Sequence, residues 1–373
     1  MTDDSQDKIK QSTASIKEPS LEDAFIELMI QALESEDIPI GAQLDTNAIA
    51  TLFMQSIEAG VDPAVHHLKA GMTAMLEERR QVQIEFEQLL YEHWKSALDL
   101  FETILVVARE SGESFNRKHQ AQAIAGQDHV FNVLLHLHAR SCLIASEVLI
   151  LLKSGYASGA MSRWRTIHEI AVTAFFIKKH GAATAERYLL HNVIESARAA
   201  DDYQKFYVRL GDDPIDAMQL AELRRRRAHL VKRFGKAYEG SYGWAAQALN
   251  TSNATIAAIE RDVQMDHMRP YYRLASHSTH ANPKGISFDL GNSRPLEQML
   301  AGSSFVGLAD PGHATLISLT QTTTALLTLF PDARVLLSCR VLDTMVKEAG
   351  DTFLAAHREN EGKSRSKNKH PNS

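Results

Sequence analysis

Three stretches of this sequence place ionisable side chains where they could act together. In RPYYRLASHSTHANPKG (269–285), Arg273, His277 and His280 stand at i, i+4 and i+7. On a continuous helix both histidines would project within about 40° of the arginine's direction. A guanidinium carries a permanent charge and a fork matched to phosphate oxygens, and an imidazole can move a proton near neutral pH. Arg273 could therefore hold a phosphodiester while His280 transfers the proton, with His277 beside them and Asn282 as a further polar contact. In SRWRTIHEIAVTAFF (162–176), Arg165, His168 and Glu169 share one face at i, i+3 and i+4. In RYLLHNVIESARAADDY (187–203), Arg187, His191 and Glu195 are spaced four apart. These residues would form the binding shell: Arg165, His168, Glu169, Arg187, His191 and Asn282.

Each pattern has a structural alternative. Arg165 and Glu169 could be an ion pair at a helix junction, since charges are buried only when paired. The histidines of 269–285 could cap the last carbonyls of a helix. A His–Glu pair at i, i+4 is a common salt-bridge geometry, although His191, Glu195, His277 and His280 could together ligate a metal. The expectation is otherwise metal-free, with no cofactor. There is no Gly-rich phosphate loop, G-x-S-x-G elbow, H-E-x-x-H or paired-cysteine zinc motif.

The elements that must position these groups are helices. Apolar residues recur at three- and four-residue spacing along most of the chain, which predicts an all-α, multi-helix bundle with at most one short hairpin or extended segment, placed at Ile286–Leu290. Residues 1–20 read as disordered and 21–80 as an acidic helical region. Within it one helix follows Asp45 to about Ala59, and another opens at Asp62-Pro63. Residues 82–290 form the central bundle, 291–358 pack C-terminal helices on it, and 359–373 read as a basic disordered tail. The longest pattern, Val82–Glu110, has Phe86, Leu89, Leu90, Trp94, Leu98, Phe101 and Leu105 on one side. A polar loop is expected at Ser111–Gln127. Helices His129–Lys153 and Ala157–His180 are joined by Ser154-Gly155-Tyr156, short enough to make them an antiparallel pair. Ala182–Phe206 continues as helix. Asp213-Pro214 then looks like an N-cap and first turn, and Ala333–His357 is the last helix.

The 373 residues are 44% hydrophobic and 23% charged, ordinary values for a globular chain. Two distant cysteines, Cys142 and Cys339, exclude a disulfide framework. The polar N-terminus does not read as a signal peptide, and the apolar run Cys142–Leu152 is short for a bilayer. A cytoplasmic protein with no membrane partner is the expectation, and a homo-oligomer is compatible with it. Residues 1–100 hold 19 Asp/Glu against 7 Lys/Arg, a balance of −12, so a whole-chain charge of −6 leaves +6 on residues 101–373. That surplus suits a polyanionic partner such as RNA or a nucleotide. Its main contributors, Arg224–Arg227 and the lysine-rich tail, read equally as solvated faces.

The order of landmarks SGYASGAMSRWRTIHEIAVTAFFIKKH, RYLLHNVIESARAADDY and YYRLASHSTHANPKG resembles the bacterial domain-of-unknown-function 5677 family over residues ~130–290. That resemblance implies a helical domain and no assigned activity. The Arg273-x6-His280 spacing is also similar to that of HEPN ribonucleases. This likeness implies a metal-independent RNase-like or nucleotide-directed enzyme of the toxin or phage-defence type. The alternatives are a metal-dependent phosphohydrolase and a non-enzymatic helical ligand-sensing or scaffold module.

Overall fold

The computed structural model describes residues 46–280, 283–287, 289–292 and 300–367. The expected disordered start, the helix from Leu21 and Asn282 lie outside them. The described residues contain ten α-helices and no strand. In order these are α1 (Thr46–Ala125), α2 (His129–Lys153), α3 (Ala157–His180), α4 (Ala182–Leu210) and α5 (Ala217–Phe234). Then come α6 (Ile256–Asp262), α7 (Arg269–Thr279), α8 (Pro283–Ser287), α9 (Ala309–Leu327) and α10 (Ala333–Lys367). Single 3-10 turns at Lys236–Glu239, Gly243–Ala245 and Asp266–Met268 link the later helices.

Two compact units divide the chain, Met1–Phe86 and Glu87–Ser373. In the first, α1 runs through Pro63 without a break, where two separate helices were expected. A proline inside a helix removes one hydrogen bond and crowds the preceding turn, but good helix formers stand on both sides of it, Glu58 and Ala59 before and Ala64, Leu68 and Ala70 after.

In the second unit, α2, α3 and α9 pack on one another, and α10 packs on α9. The residues of α1 from Leu90 onward join this core: Leu90, Trp94, Leu98, Phe101 and Ile104 are fully buried. The Trp94 indole N–H donates to the Phe305 carbonyl at 3.0 Å, and its ring meets Phe353 of α10. On α3, Trp164 is buried completely and donates to the Ala314 carbonyl of α9 at 3.0 Å. α9 is rich in threonine and serine, yet Thr315, Ser318, Thr322 and Thr323 are buried. Thr322 and Thr323 donate to the carbonyls of Ser318 and Leu319, one turn back. Hydroxyls satisfied in this way can face a core at little cost, whereas the buried Thr315 hydroxyl has no hydrogen-bond partner among the described residues.

By length and composition α2 alone among the described residues could cross a bilayer, although the apolar run within it looked too short. Here one side of it, from Phe131 and Leu134 to Val148 and Leu152, is buried in the bundle, while Leu143 and Ile150 are exposed. The turn Ser154–Tyr156 needs Gly155 at φ 79°, a left-handed backbone that glycine adopts without strain.

Several boundaries differ from the sequence reading. The expected loop Ser111–Gln127 is helical as far as Ala125, because Phe115 packs on Phe131 and Phe330 and extends the buried side of α1. The helix expected from Pro214 begins after Asp216, whose carboxylate accepts from the Met218 and Gln219 N–H groups. The extended piece at Ile286–Leu290 is absent, since Ile286 and Ser287 end α8; Phe288 lies outside the described residues. Proline at the start of α8 presets helical φ and has no N–H to leave unsatisfied. α10 continues past His357 to Lys367, into the segment expected as a disordered tail.

Candidate functional site

α3 is the platform of the candidate site. Its inner face carries Trp164, Ile167, Ala171 and Ala174, all fully buried. Its other side meets α7 and α6. Arg165 donates from Nε to Glu169 Oε1 at 3.2 Å, and from a terminal nitrogen to Ser276 Oγ of α7 at 3.4 Å. Its guanidinium carbon lies 4.5 Å from the centre of the Tyr272 ring, a cation–π contact. The Tyr272 hydroxyl completes the set by donating to Glu169 Oε1. Burial, and then the bond to Glu169, push the Tyr272 hydroxyl well above its ordinary titration range. Tyr242 stands within reach of the same charges; burial and the Glu169 carboxylate push it up to about 12.

Beneath this half-open layer lies a closed one. His168 and Glu260 are both 0% exposed, and His168 Nε2 donates to Glu260 Oε1 at 3.2 Å. Arg269, at the start of α7, brings Nε to 3.2 Å from Glu260 Oε2. That N–H is not aimed at the oxygen, so Oε2 has electrostatic contact without an aligned hydrogen bond. His168 Nδ1 has no hydrogen-bond partner among the described residues. The residues therefore converge as two arginines, two glutamates, two tyrosines and one histidine drawn from α3, α6, α7 and the Tyr242 turn. Their formal charges cancel.

The structure brings Arg165, His168 and Glu169 together with the Arg273 helix, whereas the hydrogen bonds of Arg187 and His191 go to residues 238–247. Arg187 is buried, donates to the Trp244 carbonyl at 3.3 Å and to Gln247 Oε1 at 3.0 Å, and packs on the rings of Phe234 and Tyr238. His191 donates from Nε2 to the carbonyls of Tyr238 and Gly240, at 3.1 and 3.0 Å. Both side chains fasten the 236–247 segment to α4. Glu195 Oε1 is 3.6 Å from the other ring nitrogen of His191 and also meets Arg198. No group of three or more His, Cys, Asp or Glu among the described residues is arranged to hold a metal.

On α7 itself, Arg273 is exposed and His277 is half-buried. The helix ends at Thr279, and His280 is its C-cap with φ −119° and ψ 142°. Helical spacing therefore does not set the direction of His280, contrary to the expectation that both histidines would follow Arg273 along one rail. The chain then doubles back. A Cβ on Gly285 would fall 2.4 Å from the His277 carbonyl oxygen, so α8 approaches the end of α7 only through a glycine. The concavity lined by Asn116, Gln120, Asp128 and Asn132 lies at the α1–α2 turn and shares no residue with this cluster.

Glu260, Arg269, Tyr242 and Tyr272 were not singled out from sequence. Arg269 and Tyr272 lie in the same segment as Arg273, and a Tyr-Tyr pair beside two arginines is a usable signal. Glu260 carries none, because its partner His168 is 92 residues away.

The basic run is also resolved. Arg224 and Arg227 pair with Asp201, Arg225 and Arg226 with Glu222, and Arg227 also with Glu239. It is a set of internal ion pairs on the surface.

Residues 131–297 match the model of DUF5677, a family of unknown function. The matched region spans α2 to α8, and so contains every residue of the cluster. No curated protein and no solved structure matches the chain.

Proposed function

We propose that the DUF5677 region is directed at a phosphodiester, in the manner of an RNase, on the outer side of α7. The observation that carries this reading is the division of labour on that helix. Tyr272 and Ser276 are spent holding α7 to Arg165 and Glu169, while Arg273 and His280 remain exposed. A rigidly mounted, solvent-reached arginine can hold a phosphate through its fork, and His280 then supplies general acid/base capacity. The HEPN-like Arg-x6-His spacing supports the same assignment. The test is cleavage of mixed RNA substrates in EDTA by wild type, Arg273→Lys and His280→Ala. Cleavage that survives the chelator and is lost in both variants supports the reading. Wild type inert toward RNA across broad conditions ends it.

A second reading is a non-enzymatic ligand-sensing or scaffold module. The charges of the cluster are already paired with one another, Arg165 with Glu169 and Arg269 with Glu260. In addition, His277 and His280 stand at the carbonyl end of α7, where the helix dipole favours cations over an anionic ligand.

A further inference from the structure

Within the Met1–Phe86 unit, the helix carries an apolar seam of a definite period. Met54, Val61, Leu68, Met75 and Val82 recur every seven residues. Val65 and Met72 fall between them at alternating steps of four and three. All seven are 39–55% exposed. A repeat of 3.5 residues is the signature of a coiled-coil seam, which buries its knobs only against another helix. Helices this exposed also gain little from packing, which is where most helical stability in proteins originates. Pro63 sits on the side away from the seam, so its missing N–H does not interrupt the contact face.

We propose that this seam pairs with the same seam of a second copy, running antiparallel. The choice of occupant and direction rests on charge. The interleaved positions continue as Glu58 and Arg79, both exposed. In a parallel, in-register pair, each would face its own duplicate, glutamate on glutamate and arginine on arginine. In an antiparallel pair with Leu68 against Met72 of the second copy, Glu58 lies one layer from the other copy's Arg79. The arrangement repeats at both ends by two-fold symmetry, the commonest closed symmetry of homo-oligomers. Lys69 meets its duplicate at the edge of the seam, where its long stem can carry the ammonium to water. The paired stretch, Met54 to Val82, spans about 42 Å at 1.5 Å per residue.

The experiment uses the full chain. Sedimentation equilibrium should return twice the single-chain mass. Leu68→Glu combined with Met72→Glu should raise the dimer dissociation constant by about 100-fold or more, because it places unpaired charges in the seam. Both positions are exposed in the single chain, so the variant keeps the helix content of the rest. Glu58→Arg should weaken the dimer, and adding Arg79→Glu should restore it. Spin labels at position 85 should read about 45 Å apart, thirty residues of helix. A separation near 10 Å would mean parallel pairing and overturn the orientation. A wild type that stays monomeric at all concentrations overturns the proposal. If in that case the seam is protected from hydrogen exchange only while residues 1–45 are present, its occupant is the chain's own N-terminal segment. A dimer indifferent to the double glutamate variant overturns it equally.

Discussion

The Tyr272 hydroxyl donates to Glu169 Oε1, a bond that closes over 103 residues of sequence and joins α7 to α3. Because burial and Glu169 itself hold that hydroxyl protonated, the bond persists throughout the neutral range. Tyr272→Phe should remove it while keeping the ring beneath Arg165. Glu169 is part-exposed and can recover water, so the expected loss is about 0.5–1.5 kcal/mol, read by urea titration. An unchanged unfolding midpoint would mean that the bond does not hold α7.

Glu260 offers a sharper case because it is fully buried between His168 and Arg269. Glu260→Ala should lower stability by about 3 kcal/mol or more, since it strands a buried donor beside an arginine. Glu260→Gln keeps an acceptor for His168 and should cost less. Equal losses in the two variants would show that packing, and not the polar contact, is what Glu260 contributes.

His138 predicts a pH dependence. Its ring is buried on α2 and lies against Gly112 of α1, where a Cβ would fall 2.2 Å from the ring. Burial lowers its pKa from 6.5 to about 4, against the opposing pull of the Ala108 carbonyl. Between those values the unfolded chain binds the proton and the folded chain does not. Stability is therefore complete above pH 6.5 and falls as pH drops toward 4. Burial also lowers His191 and His313, which act in the same direction. The melting temperature should decline across that window, and less steeply in His138→Gln. A slope unchanged by the substitution would assign the effect to other groups.

Gly112→Ala tests the same contact from the other side. The added methyl would have to displace the His138 ring, an overpacking that costs about 1–3 kcal/mol. A neutral result by thermal melt would show that the ring can move.

His280→Ala separates chemistry from structure. If His280 transfers a proton, activity on RNA should fall about 10²–10⁴-fold. Its exposed position should leave stability within about 0.5 kcal/mol. Stability lost in proportion to activity would identify a structural histidine instead.

The helices were legible because their signals are local. The stripe of Leu90, Trp94, Leu98 and Phe101, the Ser154–Tyr156 turn and the Arg165–Glu169 pair each involve residues within a few positions of one another. Where the reading failed, the deciding contact was distant. Phe330 draws the end of α1 into helix from about 200 residues away, and Tyr238 and Gly240 claim His191 from the far side of α5. The cluster was half visible for the same reason. α3 and α7 show their charged faces in sequence, but Glu260 and Tyr242 join only once the chain is folded. His280 failed differently, because one residue beyond a helix end the rule that sets its direction no longer applies.

α5 brings just two residues, Leu220 and Leu230, into the interior. Phe234 at its end meets Arg187 and Tyr238, and Arg224 and Arg227 on Asp201, Arg227 on Glu239 and Arg233 on Glu186 add ion pairs along its length. Concentrated salt shortens the screening length to about 3 Å at 1 M and so weakens those latches, while salts excluded from protein surfaces strengthen apolar burial such as that among α2, α3 and α9. The same solution would tighten the centre of this protein while loosening one of its edges.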